Sequence, residues 1–309
     1  MKFKKPKFWD NKNLSFLAIL LLPFSLIFYF FSFIKYLKKS KKFSIPVICI
    51  GNIYVGGTGK TPLAIEIYQI TKSLGKKPGF IKKYYNYLED EINMLKKIGP
   101  TFFNNEREEA INLLIQKECN LAILDDGFQD STIKKDFSII CFNSNQWIGN
   151  GFIIPSGPLR EKLSSIKKAD CIFINGDKNI KIEEQIFQHI SKSTRIFYSE
   201  YKILNVEKFQ NKNLFAFAGI GNPSNFFNLL KKNNLNVVKS ESFSDHHFYL
   251  EKEFNKILEM AKKLNAILIT TEKDYNRMTD EQKKYCDFVK VDLSIENKNQ
   301  FIDLLRDKI

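Results

Sequence analysis

From residue 44 onward, short compact apolar runs alternate with longer stretches in which apolar positions recur every three or four residues. The runs at 45–50, 78–81, 121–124, 137–142 and 171–174 are rich in Ile, Phe and Cys and are bounded by polar or glycine-bearing turns, which predicts buried strands. The stretches 61–74 and 106–117 predict helices, with Pro62 tolerated in the first turn of the former. Buried strands alternating with helices predict parallel βαβ units in a doubly wound α/β sheet. Around 195–211 the pattern changes to two extended pieces with polar breaks. A second, smaller α/β set then follows: strands at 214–218, 237–243, 266–270 and 288–291, and helices at 224–232, 251–264 and 296–306.

The N-terminal stretch does not fit this alternation. Residues 14–34 form 21 positions without a charge, and as a helix they would span about 31 Å, close to the thickness of a bilayer core. Five Lys precede the run and five sit at its far end, so a positive-inside count gives no orientation. Lys38, Lys39, Lys41 and Lys42 stand where a cleavage site would need small residues, which argues against a removable signal. Pro23 lies inside the run and would bend it. We expect a membrane-associated helix that dips into, or crosses, the bilayer. The expected organisation is a membrane segment 1–42, a phosphate-loop domain 43–194, a two-stranded linker 195–212 and a C-terminal α/β domain 213–309.

Charge supports that division. The 309 residues carry 48 Lys and Arg against 34 Asp and Glu, a net +14. Residues 1–42 hold ten Lys and one Asp, so +9 of the excess flanks the apolar run and only +5 remains for the other residues. This distribution suits an anionic membrane surface. It argues against a nucleic-acid partner, for which no module is present. Only five of the basic residues are Arg, so Arg107 and Arg160 draw notice as bidentate anion binders. The five Cys form no CxxC pair and lie mostly in apolar runs, as small buried hydrophobes of a reducing compartment do.

The chemistry concentrates after the first strand. Tyr54-Val55-Gly56-Gly57-Thr58-Gly59-Lys60-Thr61 lies between a predicted buried strand and a predicted helix, the context a phosphate-binding Walker A loop requires. Its glycines let backbone N–H groups surround phosphate oxygens, and the helix N-terminus adds positive potential. Lys60 would reach the outer phosphates of ATP and Thr61 would ligate Mg²⁺. Tyr54 stands where the pattern has its first Gly. The strand at 121–124 ends in Asp125-Asp126, and tandem carboxylates at the C-terminal end of a buried parallel strand predict a Mg²⁺ site beside the phosphates. Gly219-Ile220-Gly221 lacks a third glycine at dinucleotide spacing and reads as a turn before a helix.

Six separate stretches then point one way: VGGTGKTP from Val55, LDDGFQ from Leu124, Gly149-Asn150-Gly151 followed by PSGPLRE from Pro155, AGIGNP from Ala218, SDHH from Ser244 and TEKD from Thr271. Together they resemble the tetraacyldisaccharide 4′-kinases, the lipid A 4′-kinases, over essentially the whole chain. That resemblance implies transfer of the γ-phosphoryl of ATP to the 4′-hydroxyl of a lipid A disaccharide 1-phosphate precursor, at the cytoplasmic face of a bacterial inner membrane. It implies two α/β domains joined by a short two-stranded linker, with the active site in their cleft. Glu89-Asp90-Glu91 matches the family's Gly-Asp-Glu, which makes Asp90 the general base, with His246 holding or sharing its charge, and adds Glu91 to Thr61, Asp125 and Asp126 around Mg²⁺. Gln129 is expected near the nucleotide or the metal, Arg107 and Arg160 on a phosphate, and Lys273 with Asp274 at the base or ribose; His247 is expected to be structural. The chain departs from the family pattern at Lys82-Lys83-Tyr84-Tyr85, where an Arg-Gly-Tyr is usual, and at Asp130, where a His is common. The competing reading is a membrane-bound P-loop NTPase switch acting on a protein partner.

Overall fold

The computed structural model describes residues 5–11, 15–35, 39–85 and 89–309, with the side chains of Lys35, Glu89 and Asp90 outside that set. Of the expected basic flanks, Lys2, Lys4, Lys12 and Lys38 therefore lie outside the described residues. The chain forms two compact units, one built from 5–88, 95–200 and 293–309, the other from 89–94 and 201–292.

The N-terminal run forms α1 (Phe16–Leu20) and α2 (Leu22–Lys35), separated at Leu21. The expectation of one long helix is thus corrected: among the described residues no helix is long and apolar enough to cross a membrane. The pair is seated by a few contacts on the larger unit. Ala18 and Ser25 are buried, and the Ser25 hydroxyl donates to the Ile153 carbonyl at 2.8 Å. Trp9, just before, is buried and its indole N–H donates to the Pro155 carbonyl at 3.0 Å. Phe16, Phe24, Leu26, Phe30 and Phe31 of the same helices are exposed.

The larger unit then follows the predicted alternation: β1 (Val47–Gly51), α3 (Lys60–Ser73), β2 (Pro78–Lys83), α4 (Glu89–Lys96, whose first part belongs to the other unit), β3 (Thr101–Asn104), α5 (Arg107–Gln116), β4 (Leu121–Asp125), β5 (Phe137–Asn143), β6 (Cys171–Asn175), α6 (Ile180–Phe187) and β7 (Arg195–Ile203, whose end from Tyr201 belongs to the other unit). β1, β4, β5 and β6 are buried along their whole length, because helices or loops cover both faces of a parallel sheet. The smaller unit holds β8 (Leu214–Ala218), α7 (Pro223–Lys232), β9 (Val237–Ser242), α8 (Glu251–Lys263), β10 (Ile267–Thr271), α9 (Glu272–Asn276), α10 (Asp280–Lys283) and β11 (Asp287–Val289). β12 (Val291–Ile295) and α11 (Lys298–Arg306) return the chain to the larger unit.

The eight strands of the first sheet run in the order β12-β7-β6-β5-β1-β4-β2-β3. β1 pairs in parallel with β4 on one side and β5 on the other, so the strand order reverses beside β1. Ligands of open α/β sheets bind outside the carboxyl ends of strands at such a reversal, and the glycine-rich loop leaves β1 there. The second sheet, β11-β10-β8-β9, is parallel throughout.

Residues 195–211 differ from the expected pair of extended pieces. They form the single strand β7 and a short 3-10 turn, Val206–Phe209, because Phe209 is fully buried with Ile203 and Leu214 in the core of the smaller unit. The short strand β3 and the helices α4, α6, α9 and α10 carry too few periodic positions to be predicted.

Candidate active site

In the larger unit, β1 ends at Gly51, where an added Cβ would meet the Cβ of Phe128 at 2.4 Å. The absence of a side chain lets β1 lie against the loop that follows β4. The glycine-rich loop then turns through left-handed conformations at Gly56 (φ 131°) and Gly59 (φ 91°), the latter capping α3. Asn52 braces the loop from inside, its amide donating to the Thr58 hydroxyl at 3.0 Å and to the Gly56 carbonyl at 3.3 Å. Val55 is fixed by its N–H donating to the Pro158 carbonyl at 2.8 Å. Lys60 and Thr61 therefore open α3 at its N-terminus, where orphan N–H groups and the helix dipole favour anions.

Tyr54 occupies the place of the missing glycine and is fully buried. Its hydroxyl donates to Asp10 at 3.1 Å and accepts from Lys5 at 3.0 Å, so its side chain ties the loop to the N-terminal segment rather than facing a phosphate. The nucleotide-binding expectation for Tyr54 is thereby reduced to its backbone. Burial, with Asp10 beside it, pushes the Tyr54 phenol well above its usual range, so it stays protonated.

Asp125 and Asp126 close β4. Asp125 is fully buried; its Oδ2 accepts from the Thr61 hydroxyl at 2.9 Å and from the Lys82 ammonium, while its Oδ1 has no hydrogen-bond partner among the described residues. Asp126 adopts a left-handed backbone (φ 62°), a conformation that costs a non-glycine residue free energy and recurs at functional sites. Its carboxylate lies 2.8 Å from the Arg160 guanidinium and 3.9 Å from the Lys60 ammonium. Burial alone would raise the Asp126 carboxyl, but Lys60, Arg160 and Lys82 outweigh it and hold the group well below the usual carboxylate range.

The two arginines converge on the same residue. Arg160 takes the Asp126 side chain, and its backbone N–H donates to the Ile53 carbonyl at 2.7 Å. Arg107, at the start of α5, donates to the Asp126 carbonyl at 2.7 Å and to the Asp130 carboxylate at 2.9 Å. Gln129 is a strut between these parts: its amide donates to the Asn52 carbonyl at 2.8 Å and to Glu161 at 3.1 Å, and its oxygen accepts from Arg160.

The smaller unit gathers a second group. Glu91 on α4 accepts from the Lys273 ammonium at 2.8 Å, and His246 Nε2 lies 4.0 Å from the same carboxylate oxygen and 3.5 Å from Lys273 Nζ. His246 also has a left-handed backbone (φ 55°), pinned by its N–H to the Gly219 carbonyl. Asp90 lies in the first turn of the same helix, but its side chain lies outside the described residues. Glu91, expected on the metal, here faces Lys273 and His246. Among the described residues no group of three or more His, Cys, Asp or Glu is arranged to hold a metal ion.

Two expectations for this unit resolve differently. Asp274 is fully buried and accepts from the Gly219 N–H, the Tyr249 hydroxyl, the Thr271 hydroxyl and Arg277, so it shapes the turn after β8 and is not exposed to a base or ribose. His247, expected to be structural, lies 2.6 Å from Glu253, with its ring tilted against Phe243 and edge-on to Tyr249.

Sequence reasoning missed Lys82, Asn52 and Glu161 as parts of the phosphate site. Lys82 joins the site through the strand register: Ile81 on β2 pairs with Leu124 on β4, so the next residue of each strand, Lys82 and Asp125, come side by side. Asn52 and Glu161 carry no signal of their own in the pattern.

A model of the tetraacyldisaccharide-1-P 4′-kinase family matches residues 17–309. A tetraacyldisaccharide 4′-kinase of Pelagibacter ubique (strain HTCC1062) is 44% identical over 99% of this chain and 98% of its own length. One from Rickettsia typhi (strain ATCC VR-144 / Wilmington) is 36% identical over 100% and 98%. Among solved structures, LpxK from Aquifex aeolicus in complex with ATP shares the fold with a TM-score of 0.71 and 23% identity, covering 94% of this chain and 99% of that one.

Proposed function

This chain belongs to the tetraacyldisaccharide-1-P 4′-kinase family, and we infer that it is an ATP-dependent lipid A 4′-kinase. It transfers the γ-phosphoryl group of ATP to the 4′-hydroxyl of an acylated disaccharide 1-phosphate, a step of lipid A biosynthesis. The observation that carries this reading is the set Lys60, Thr61, Asp125 and Asp126 at the strand-order reversal beside β1, in a chain whose relatives are named for that reaction. The switch reading is not favoured, because relatives matched over almost their whole length are kinases by name.

Phosphoryl transfer needs positioning and charge neutralisation more than covalent chemistry. Backbone N–H groups of 56–61 cradle the phosphates, and Lys60 moves from 3.9 Å off Asp126 to the phosphate oxygens. Arg107 fixes the Asp126 backbone and Arg160 its side chain; Arg107 is spent on Asp126 and Asp130, so the more exposed Arg160 is the arginine better placed for a phosphate. Asp90 accepts the 4′-hydroxyl proton as the oxygen attacks, with His246 and Glu91 setting the local charge.

The residues present suit Mg²⁺. Asp125 Oδ1 is a buried carboxylate oxygen without a partner among the described residues, and the Thr61 hydroxyl and Asp126 complete a hard oxygen set. Bound there, Mg²⁺ would neutralise charge on the outer phosphates of ATP.

The exposed aromatic and aliphatic side chains of α1 and α2, with the Lys around them, support docking of this edge on an anionic membrane. We assign the enzyme to the cytoplasmic face of a bacterial inner membrane on that ground, because ATP and the acylated acceptor meet there. Incubation of the purified chain with ATP and the disaccharide 1-phosphate tests the assignment. The expected product carries one added phosphoryl group on the 4′-oxygen by mass spectrometry and phosphorus NMR; ATP consumption with an unchanged lipid would contradict it.

A further inference from the structure

Lys82 stands near the C-terminal end of β2 and is 3% exposed. A buried ammonium is costly unless paired, and among the described residues Lys82 pairs with Asp125, itself fully buried. The pair is asymmetric. Oδ2 of Asp125 takes both the Lys82 ammonium and the Thr61 hydroxyl, while Oδ1 has no hydrogen-bond partner among the described residues. One carboxylate thus carries two donors on one oxygen and none on the other, in a place where a phosphate site calls for a divalent ion.

Both cations cannot be held equally well. A divalent ion on Asp125 would stand within a few ångströms of the ammonium, and like charges at that separation repel strongly in a site shielded from water. Lysine is suited to yield, because its ammonium is a point charge on a flexible four-carbon stem, without the fixed fork of arginine. Lys82 is also among the cations that hold Asp126 ionised, so its charge acts on both carboxylates at the end of β4.

We propose that Lys82 is a placeholder cation at Asp125: it neutralises the buried carboxylate while the site is metal-free and gives way when a divalent ion binds there. The proposal rests on the reading of Asp125 as a metal-binding residue. Lys82 is then a positioning residue that sets how tightly the site takes its metal and keeps the empty site folded.

The test uses the full-length chain in detergent and Mn²⁺ alone, without nucleotide, followed by electron paramagnetic resonance and by thermal midpoint. Lys82→Met is expected to bind Mn²⁺ at least tenfold more tightly than the wild type. Its midpoint, lowered in metal-free buffer, should recover with Mn²⁺ by more than the wild type gains. Equal or weaker Mn²⁺ binding, or an equal thermal gain, would make Lys82 a fixed structural partner and overturn the proposal. Should Lys82→Met not fold, Lys82→Arg decides: the rigid fork yields less readily, so Mn²⁺ binding should weaken, and unchanged or tighter binding contradicts the proposal. Asp125→Asn separates the two claims. Loss of Mn²⁺ binding in this variant supports the metal reading, and retention of wild-type binding would overturn that reading together with the proposal.

Discussion

The Thr61 hydroxyl donates to Asp125 Oδ2 at 2.9 Å, joining the first turn of α3 to the end of β4 across 64 residues of sequence. This bond locks the phosphate loop to the carboxylates it must work with. Thr61→Val removes it while keeping the shape of the side chain. Phosphoryl transfer should fall by about 10²–10³-fold, the scale for losing one oriented donor at a reacting centre. Steady-state kinetics checks this, with circular dichroism to show that the fold is kept.

Asp90→Asn should lower kcat by about 10²–10⁴-fold with little change in the KM for ATP, the range for losing a general base. His246→Ala should have a smaller effect in the same direction, because it acts through the charge around Glu91 and Lys273. A full rate in Asp90→Asn would remove that residue from the mechanism.

Asp130 is a departure from its family that the structure puts to use. It accepts from Arg107 at 2.9 Å and from Thr132, and both residues of the ion pair are mostly buried. Asp130→Ala should cost roughly 2 kcal/mol of stability in urea unfolding, the scale of a lost hydrogen bond to a charged group. Burial would raise the Asp130 carboxyl, but the Thr132 hydroxyl and Arg107 hold it below its usual value. Its contribution is therefore complete above about pH 4 and lost as the pH falls through the lowered value. The variant should accordingly show a shallower acid limb in its stability profile.

Burial pushes the Cys49 thiol from 9.0 up to about 11. Between those values the unfolded chain ionises this thiol and the folded chain does not, so stability should fall as pH rises from about 9 to 11. All five thiols are buried, and a thiol reagent should leave them unmodified at pH 8 until denaturant is added. Rapid labelling of the folded chain would contradict this packing.

Replacing Phe24, Phe30 and Phe31 by Ser should release the chain from anionic vesicles in a flotation assay and leave ATP binding intact. Retained flotation would mean that these exposed rings do not hold the membrane.

Much of this arrangement is legible in the sequence, where an element is long or its chemistry local. The wholly buried strands β1, β4 and β5 read as apolar runs, and Gly59-Lys60-Thr61 announces its loop because glycine suits the left-handed turn at 59 and the lysine and hydroxyl follow at the start of α3. Lys82 was missed because a lysine after a strand ordinarily points to water, and only the β2–β4 register turns it inward. Asp274 misled for the converse reason: a polar residue after a strand was taken for a ligand, whereas it satisfies the Gly219 N–H and Arg277. The apolar run at 14–34 reads as one span, yet it breaks at Leu21, next to the contact that Ser25 makes with Ile153 and two residues before Pro23.

The account stands most directly on the transfer of radiolabel from the γ-position of ATP to the acylated disaccharide 1-phosphate, compared between the wild type and Lys60→Ala. It predicts label in the lipid for the wild type and a loss of at least about 10²-fold for the variant. Equal labelling by the two proteins, or none by the wild type, would contradict it.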